Sequence, residues 1–318
     1  MSFILGNKTV LSAFEAVADT GRFSHAYIIE GAVGSGRLTL ARAIASILAG
    51  KEHAPKITAG VHQDVYELRC EEGSSTIKID QIREIISQAY IKPAECDKKI
   101  FIIENAQQMV PPAQNALLQI FEEPPKNVMF FLLVTNRNLL LSTLKSRAVT
   151  LKTEKFPDSF VREELKKRYP DAHSLIEEAV LIADGALGKA FAFLDDEKSR
   201  KAVTLVKSYF SAVNEGASFS RLSSVISPSV SNDRNYLFSV MNYFSLALRD
   251  ILTFSVGYTE KTMFFADRSL LEELSQGLDR QRLFSAYETV CRIMRDVSKI
   301  NVSLALSSVN MSLAGDFA

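Results

Sequence analysis

An α/β parallel-sheet domain followed by an all-α region is the fold class this sequence predicts, and three observations carry it. Short apolar runs alternate with amphipathic helical periods from residue 1 to about residue 155. A glycine-rich turn joins the first of those runs to the first of those helices. Beyond about residue 200 the pattern is that of long amphipathic helices, with Pro228 the one proline in the last 118 residues. A chain of 318 residues exceeds the usual single-core size, so two or three domains are expected, and an apolar content of 47% supplies core for each.

Taken in order, "AYIIE" at 26–30 is a short apolar run that meets the glycine turn, and residues 36–49 then read as a helix ending at Gly50. The segment "IDQIREIISQAY" sets Ile82, Ile85, Ile86 and Ala89 on one helical face, with Asp80 as N-cap. In "KKIFIIENAQQM" the residues Ile100 to Ile103 are continuously apolar, the pattern of a strand buried on both faces of a parallel sheet. Pro111 and Pro112 open the next helix, striped by Ala113, Ala116, Leu117, Ile120 and Phe121. "VMFFLLVT" at 128–135 is another wholly apolar strand, and "AVTLK", beginning at Ala148, is a last short one. After Pro157, residues 158–196 give short helical periods broken by Pro170 and by a turn at Gly185 and Gly188. "YLFSVMNYFSLALRDILTF" and "RLFSAYETVCRIMRDVSKI" carry the i, i+3, i+4, i+7 spacing of packed bundle helices. Their aromatics therefore read as core or subunit interface rather than as a base-stacking platform.

The 37 basic and 37 acidic side chains cancel, which excludes a chain-wide electrostatic footprint for independent nucleic-acid binding. Cys70, Cys96 and Cys291 are odd in number, scattered and without CxxC spacing, so reduced buried thiols are expected, not disulfides or a zinc site. His25, His53, His62 and His173 have no metal-ligand spacing and no partner set of cysteines or acids, so no metal is expected. No signal peptide opens the chain and no apolar run of about 18 residues occurs, so a cytoplasmic protein with no membrane contact is expected.

The turn "EGAVGSGR" keeps the Gly-x-x-x-x-Gly spacing of a phosphate-binding loop in Gly31 and Gly36, with Gly34 between them. Arg37 and Leu38 follow, where such a loop has lysine and then serine or threonine. Arg37 still offers positive charge at a helix N-terminus, so vestigial nucleotide or phosphate binding is compatible with the segment. Leu38 has no hydroxyl for Mg²⁺, and Thr39 lies about 100° further round the helix. A degenerate phosphate loop and a structural glycine turn both fit these residues.

An ATPase of this type also needs an acid after a second buried strand to hold Mg²⁺ and another beside it to polarise water. Glu104 and Asn105 stand there. Glu104 has the reach for a metal, Asn105 carries no charge with which to accept a proton, and an ordinary strand end in solvent fits equally. Thr135 and Asn136 follow the next strand, as sensors of a γ-phosphate or as a turn cap. Ser146 and Arg147 precede the last strand. An arginine there is either a finger reaching a neighbouring subunit's phosphate, worth roughly 10³ to 10⁵ in rate, or a solvated charge. Glu122 and Glu123 close a helix, and neighbours on a helix point about 100° apart, so they read as a structural helix end rather than paired catalytic carboxylates.

In combination, "HAYIIEGAVGSGR", "IKIDQIREI", "KKIFIIENAQQM", "QNALLQIFEEPP" and "LKSRA" resemble the delta-prime family of bacterial DNA polymerase III clamp-loader subunits, over residues 1 to about 155. "RDILTF" and "INVSLALSSVNMSL" are more loosely similar to that family's carboxyl-terminal helices. The strings around Gln81, Asn115 and Glu123 carry the likeness by their order and spacing. The resemblance implies an AAA+ nucleotide-binding-type domain at 1–155 with a degenerate phosphate loop, a helical lid at 156–198 and a helical collar at 199–318 that joins loader subunits into a ring.

ATP-hydrolysing members carry an intact loop, an acidic pair and a lid arginine, the last falling at Gly188 in "DGALGKA". Arg37, Leu38, Asn105 and Gly188 depart from that pattern together. The resemblance thus implies a non-hydrolysing stator, with no ATPase of its own and no required cofactor, that helps load the sliding clamp onto primed DNA. The family's Ser-Arg-Cys motif matches Ser146, Arg147 and Ala148, which implies that Arg147 acts in trans on ATP held by a gamma/tau-type subunit. Gamma/tau and delta subunits are the implied partners in a hetero-oligomer, within the DNA polymerase III holoenzyme. Many relatives have a four-cysteine zinc module after the loop helix, and "GKEHAPKITAGVHQD" has none, so no zinc is expected. The alternative is a gamma/tau-like ATPase that uses Arg37 and Glu104 in substituted roles.

Overall fold

The computed structural model describes residues 6–18, 23–71, 74, 76–226, 233–258, 261–296 and 301–314. They form two compact units: one runs to Phe156 and includes Ala186–Gly188, the other comprises Pro157–Gly185 and the chain from Lys189 onward.

The first unit contains α1 (Lys8–Ala18), β1 (Ala26–Glu30), α2 (Arg37–Ala49), α3 (Ala54–Thr58), β2 (Val65–Leu68), α4 (Ile79–Ala89), β3 (Lys99–Ile103), α5 (Pro111–Glu122), β4 (Val128–Val134), α6 (Ser142–Lys145) and β5 (Val149–Lys152). The strands make one parallel sheet in the order β2-β3-β4-β1-β5. Ile28 of β1 sits level with Leu132 of β4 on one side and Thr150 of β5 on the other.

Alternation across the pleat explains why these strands are apolar throughout. Ile28, Phe101, Ile103, Phe130 and Leu132 pack with α4 and α5 residues such as Ile82, Ile85, Leu117 and Phe121. Their neighbours Ile29, Ile100, Ile102, Phe131 and Leu133 face Leu40, Ile44 and Leu48 of α2 and Phe14 of α1. Each fully buried phenylalanine of this sheet contributes about 1.5–3 kcal/mol relative to exposure.

Two local expectations are corrected, and one strand is added. Asp80 is not the N-cap of α4: Lys78 is, and its N–H donates to the Gln81 side chain at 3.0 Å while Asp80 pairs with Arg83 at 3.1 Å. Strand β2 adds an edge to the sheet that the polar-interrupted "VYEL" does not advertise, since only Val65 of its four residues is buried. Gly188 belongs to a helix, Leu187–Asp195, rather than to a turn.

The second unit is helical: α7 (Asp158–Arg168), α8 (His173–Ala183), α9 (Leu187–Asp195), α10 (Glu197–Asn214), α11 (Phe219–Ile226), α12 (Arg234–Ser255), α13 (Arg268–Gly277), α14 (Arg280–Asp296) and α15 (Val302–Ala314). Pro228 and residues 297–300, which end the second bundle string, lie outside the described residues. Long α12 packs against α10, α13 and α14, with Tyr209, Phe210, Phe244, Phe264 and Phe265 meeting in edge-to-face and tilted ring contacts in the core. Two buried polar groups are fully engaged there. Asp250 accepts the N–H groups of Met263, Phe264 and Phe265, and Asn310 accepts the Tyr209 hydroxyl at 2.9 Å while donating to Ser223.

Candidate functional site

All five strands run the same way, so the turns after β1, β3 and β4 lie at one edge of the sheet, where a parallel sheet binds ligands. Gly31 leaves β1 with its N–H donating to the Val134 carbonyl at 3.0 Å, continuing the ladder. A Cβ at position 31 would fall 2.0 Å from Thr153 Oγ1 and 2.5 Å from Ser35 Oγ, and those hydroxyls are themselves bonded at 2.9 Å. Gly34 and Gly36 turn with φ of 77° and 80°, the left-handed region that favours glycine. The Gly34 carbonyl accepts the Gly188 N–H at 2.9 Å, and a Cβ on Gly188 would lie 2.8 Å from that oxygen. Position 188 therefore holds glycine for close backbone approach.

Arg37 opens α2 and donates from Nη2 to Asn105 Oδ1 at 3.3 Å. Burial pulls its pKa below the usual arginine range, against the attraction of Glu104. Asn105 adopts φ 50°, where asparagine is tolerated best among side-chain-bearing residues, and starts the short 3₁₀ turn Ala106–Gln108. Leu38 packs against the core cluster beneath α2, so the position that would offer a hydroxyl to magnesium makes an apolar contact instead.

The Glu104 N–H donates to the Leu68 carbonyl, extending the β2–β3 ladder, and its carboxylate lies 3.2 Å from Arg69 Nη2. Arg69 also approaches Glu67 at 3.5 Å, and Glu67 accepts Nε and Nη2 of Arg42 at 2.5 and 2.7 Å. The alternating series Arg42, Glu67, Arg69, Glu104 ties α2 to β2 and to the end of β3. Sequence reasoning misses it because β2 does not read as a strand. Among the described residues next to this series, Arg37 Nη1 and Gln107 Oε1 are buried without a hydrogen bond, and Glu104 Oε1 has its ion pair with Arg69 but no hydrogen bond.

After β4, Thr135 is half-buried and Asn136 is exposed, its Oδ1 accepting the Asn138 N–H at 2.9 Å to cap a short turn. Helix α5 governs the segment beyond that turn. Its buried Gln114 donates from Nε2 to the Met109 carbonyl at 3.1 Å and accepts the Leu141 N–H at 2.9 Å. Leu141 is the N-cap of α6, so one amide joins the segment after β3 to the arm that bears Ser146 and Arg147. Ser146 donates to the Thr143 carbonyl. Arg147 donates from Nη1 to that same carbonyl at 3.2 Å and from Nη2 to Glu122 Oε1 at 2.7 Å. The carboxylate that reads as a plain helix end thus meets the candidate finger.

The histidines also find partners that local spacing does not reveal. Side-chain donor atoms of His53, His62 and Glu95, and of His62, Asp64 and Cys96, converge within 4.8 Å. The hydrogen bonds account for them. The Asp64 N–H donates to His62 Nδ1 at 3.1 Å, which leaves the proton of the neutral ring on Nε2, facing His53 Nδ1 at 2.9 Å. Burial pushes His62 down, in keeping with a neutral ring. A metal-bound histidine turns its second nitrogen outward as a donor, whereas His62 accepts there, so the observed hydrogen bonds already engage both ring nitrogens. Asp64 accepts the N–H groups of Ala94, Glu95 and Cys96 at 2.8, 2.6 and 3.1 Å. Burial raises its pKa, but those three donors outweigh burial and hold it below the ordinary value. Cys70, Cys96 and Cys291 are half-buried free thiols. Among the described residues no helix is long and apolar enough to cross a membrane.

The parallel sheet, the glycine loop at the end of β1 and the helices that follow define an α/β parallel-sheet fold joined to an all-helical unit. The fold matches a crystal structure of a DNA polymerase III gamma subunit-related protein from Thermotoga maritima, with a TM-score of 0.52 at 18% identity over 94% of this chain and 97% of the other. Residues 6–157 match the family model described as DNA polymerase III, delta subunit. DNA polymerase III subunit delta' of Escherichia coli is 24% identical over 91% of this chain and 88% of its own length. DNA polymerase III subunit gamma of Buchnera aphidicola (subsp. Schizaphis graminum) is 29% identical over 58% of this chain and 54% of its own. The chain spans about half the length of such gamma relatives. The chain is thus similar over residues 6–157, and more loosely over most of its length, to clamp-loader subunits of DNA polymerase III.

Proposed function

We propose that the chain is a stator of the delta-prime type: a subunit that hydrolyses no ATP itself and lends Arg147 to the nucleotide of a neighbouring gamma/tau-type subunit. The observation that carries this reading is the redeployment of the nucleotide site. Leu38 packs into the core where a magnesium ligand belongs, Arg37 is bound to Asn105, and the loop carbonyl of Gly34 is bound to Gly188. Without a hydroxyl at 38 or a charged base at 105, a bound triphosphate would lack both its metal and its activated water. Glu104, tied to Arg69, does not restore either. The buried Nη1 of Arg37 is the polar group that a vestigially bound phosphate or nucleotide would meet.

In this reading the first unit is the AAA+ domain, residues 156–198 act as lid and 199–318 as collar, in a cytoplasmic hetero-oligomer with gamma/tau and delta subunits. The assembly loads the sliding clamp onto primed DNA within the polymerase holoenzyme, with no zinc and no required cofactor. Support for the assignment comes from the delta' relative, which aligns over nearly the whole chain. The 29% identity to a gamma subunit favours the second reading, an active ATPase. Steady-state ATP hydrolysis with Mg²⁺ by the chain alone separates the two. The stator gives no turnover above contaminant level at any protein concentration, and turnover that scales with this protein replaces it by the ATPase.

A further inference from the structure

We infer that Glu122 is a positioning residue for Arg147, holding its guanidinium in one orientation for use by a neighbouring subunit. This rests on the reading in which Arg147 serves that neighbour's nucleotide. Arginine is a long side chain with several rotamers, and a finger is useful only where its charge is delivered to one place. Here two of its nitrogens are fixed by the protein: Nη2 donates to Glu122 Oε1 at 2.7 Å and Nη1 to the Thr143 carbonyl at 3.2 Å. Nε and the second hydrogen of each Nη are left to meet an anion.

Both holds trace back to α5. Glu122 is its last residue, and Gln114, eight residues and about 12 Å earlier on the same helix, pins the N-cap of the short α6 from which Thr143 and Arg147 follow. One rigid element therefore sets both the base and the tip of the arm. The pair is itself exposed, so it adds little to folding. Removing it changes where the arginine points and leaves the fold standing. An incoming phosphate would meet a guanidinium whose orientation is already restricted by these two bonds.

The test uses the complex reconstituted with its gamma/tau-type ATPase and delta subunits, comparing wild type, Glu122→Gln, Glu122→Ala and Arg147→Ala. The expected result is a fall in the ATPase kcat of roughly tenfold to a hundredfold for Glu122→Ala, with KM for ATP unchanged and Glu122→Gln between it and wild type. On the isolated chain, the slowly exchanging ¹⁵N–¹H guanidinium signals of Arg147 are expected to disappear in Glu122→Ala while the backbone spectrum stays the same. If Arg147→Ala lowers kcat but Glu122→Ala leaves it unchanged or raises it, the positioning role is overturned and the finger stands. If Arg147→Ala itself has no effect, both fall. Guanidinium signals that persist in Glu122→Ala also overturn the role.

Discussion

Replacing Gln114 tests how far one buried amide organises the arm that bears Arg147. Its side chain satisfies the Met109 carbonyl and the Leu141 N–H, and the residue is only 5% exposed. Gln114→Leu keeps the approximate volume but leaves both backbone groups without this partner. At about 1–3 kcal/mol per buried group left unpaired, and with some return from the added apolar contact, the loss comes to about 2–4 kcal/mol. Gln114→Glu isolates the two bonds. Its carboxylate still accepts from Leu141 but faces the Met109 carbonyl with negative charge, so at neutral pH it is less stable than the leucine variant. On acidification the protonated carboxyl donates to Met109 and stability returns relative to leucine. Urea-dependent hydrogen exchange of amides in β3, β4 and α5 reads this without interference from the helical unit. A leucine variant within about 0.5 kcal/mol of wild type, or a glutamate variant with no pH-dependent recovery, would refute the reasoning.

Two more outcomes are expected at other contacts. Asp64→Asn is expected to be about 1–3 kcal/mol less stable at pH 7, because an amide cannot present an acceptor to all three backbone donors of Ala94, Glu95 and Cys96. The folded-state pKa of Asp64 is depressed, so its contribution is complete above the ordinary value of 3.8 and is lost as pH falls through the lower folded value. The gap between wild type and variant should therefore close in that acid window, as followed by circular dichroism, and a constant gap down to the lowest pH would count against the carboxylate's role. Gly188→Ala would place a methyl 2.8 Å from the Gly34 oxygen. Local overpacking of this kind costs about 1–3 kcal/mol, so amide exchange across residues 31–36 should accelerate, and unaltered protection would mean that the Gly34 contact is slack.

The sheet is legible in the sequence wherever burial on both faces makes the residues uniformly apolar, as in β3 and β4. It is illegible at the edge, where β2 keeps Tyr66 and Glu67 half-exposed and the apolar signal thins out. Helix α5 announces itself through Pro111 and its stripe, yet Gln114 breaks that stripe and its significance lies in Leu141, 27 residues away. The candidate site divides along the same line. The glycines, Arg37, Glu104 and Arg147 can be picked out by their places next to strands. Their actual partners, Asn105, Arg69 and Glu122, come from other elements, and pairings across such sequence distances leave no local pattern. The histidines illustrate the point most sharply: His62 looks isolated until Glu95 and Cys96 arrive from more than 30 residues further along.

The packing of Leu38 has a consequence for any change that would place a metal-binding hydroxyl at position 38. Exchanging it for threonine would strip apolar contacts from the core under α2, about 1 kcal/mol or more of stability, before any metal could reward the new hydroxyl. That hydroxyl would still find Arg37 turned toward Asn105 and Glu104 drawn toward Arg69. A hydroxyl at position 38 would thus stand without the neighbours it needs, and its introduction alone weakens a packing contact present in the structure. The loop is thus held in its present form by ordinary packing, and the first step toward a metal-binding hydroxyl there runs uphill.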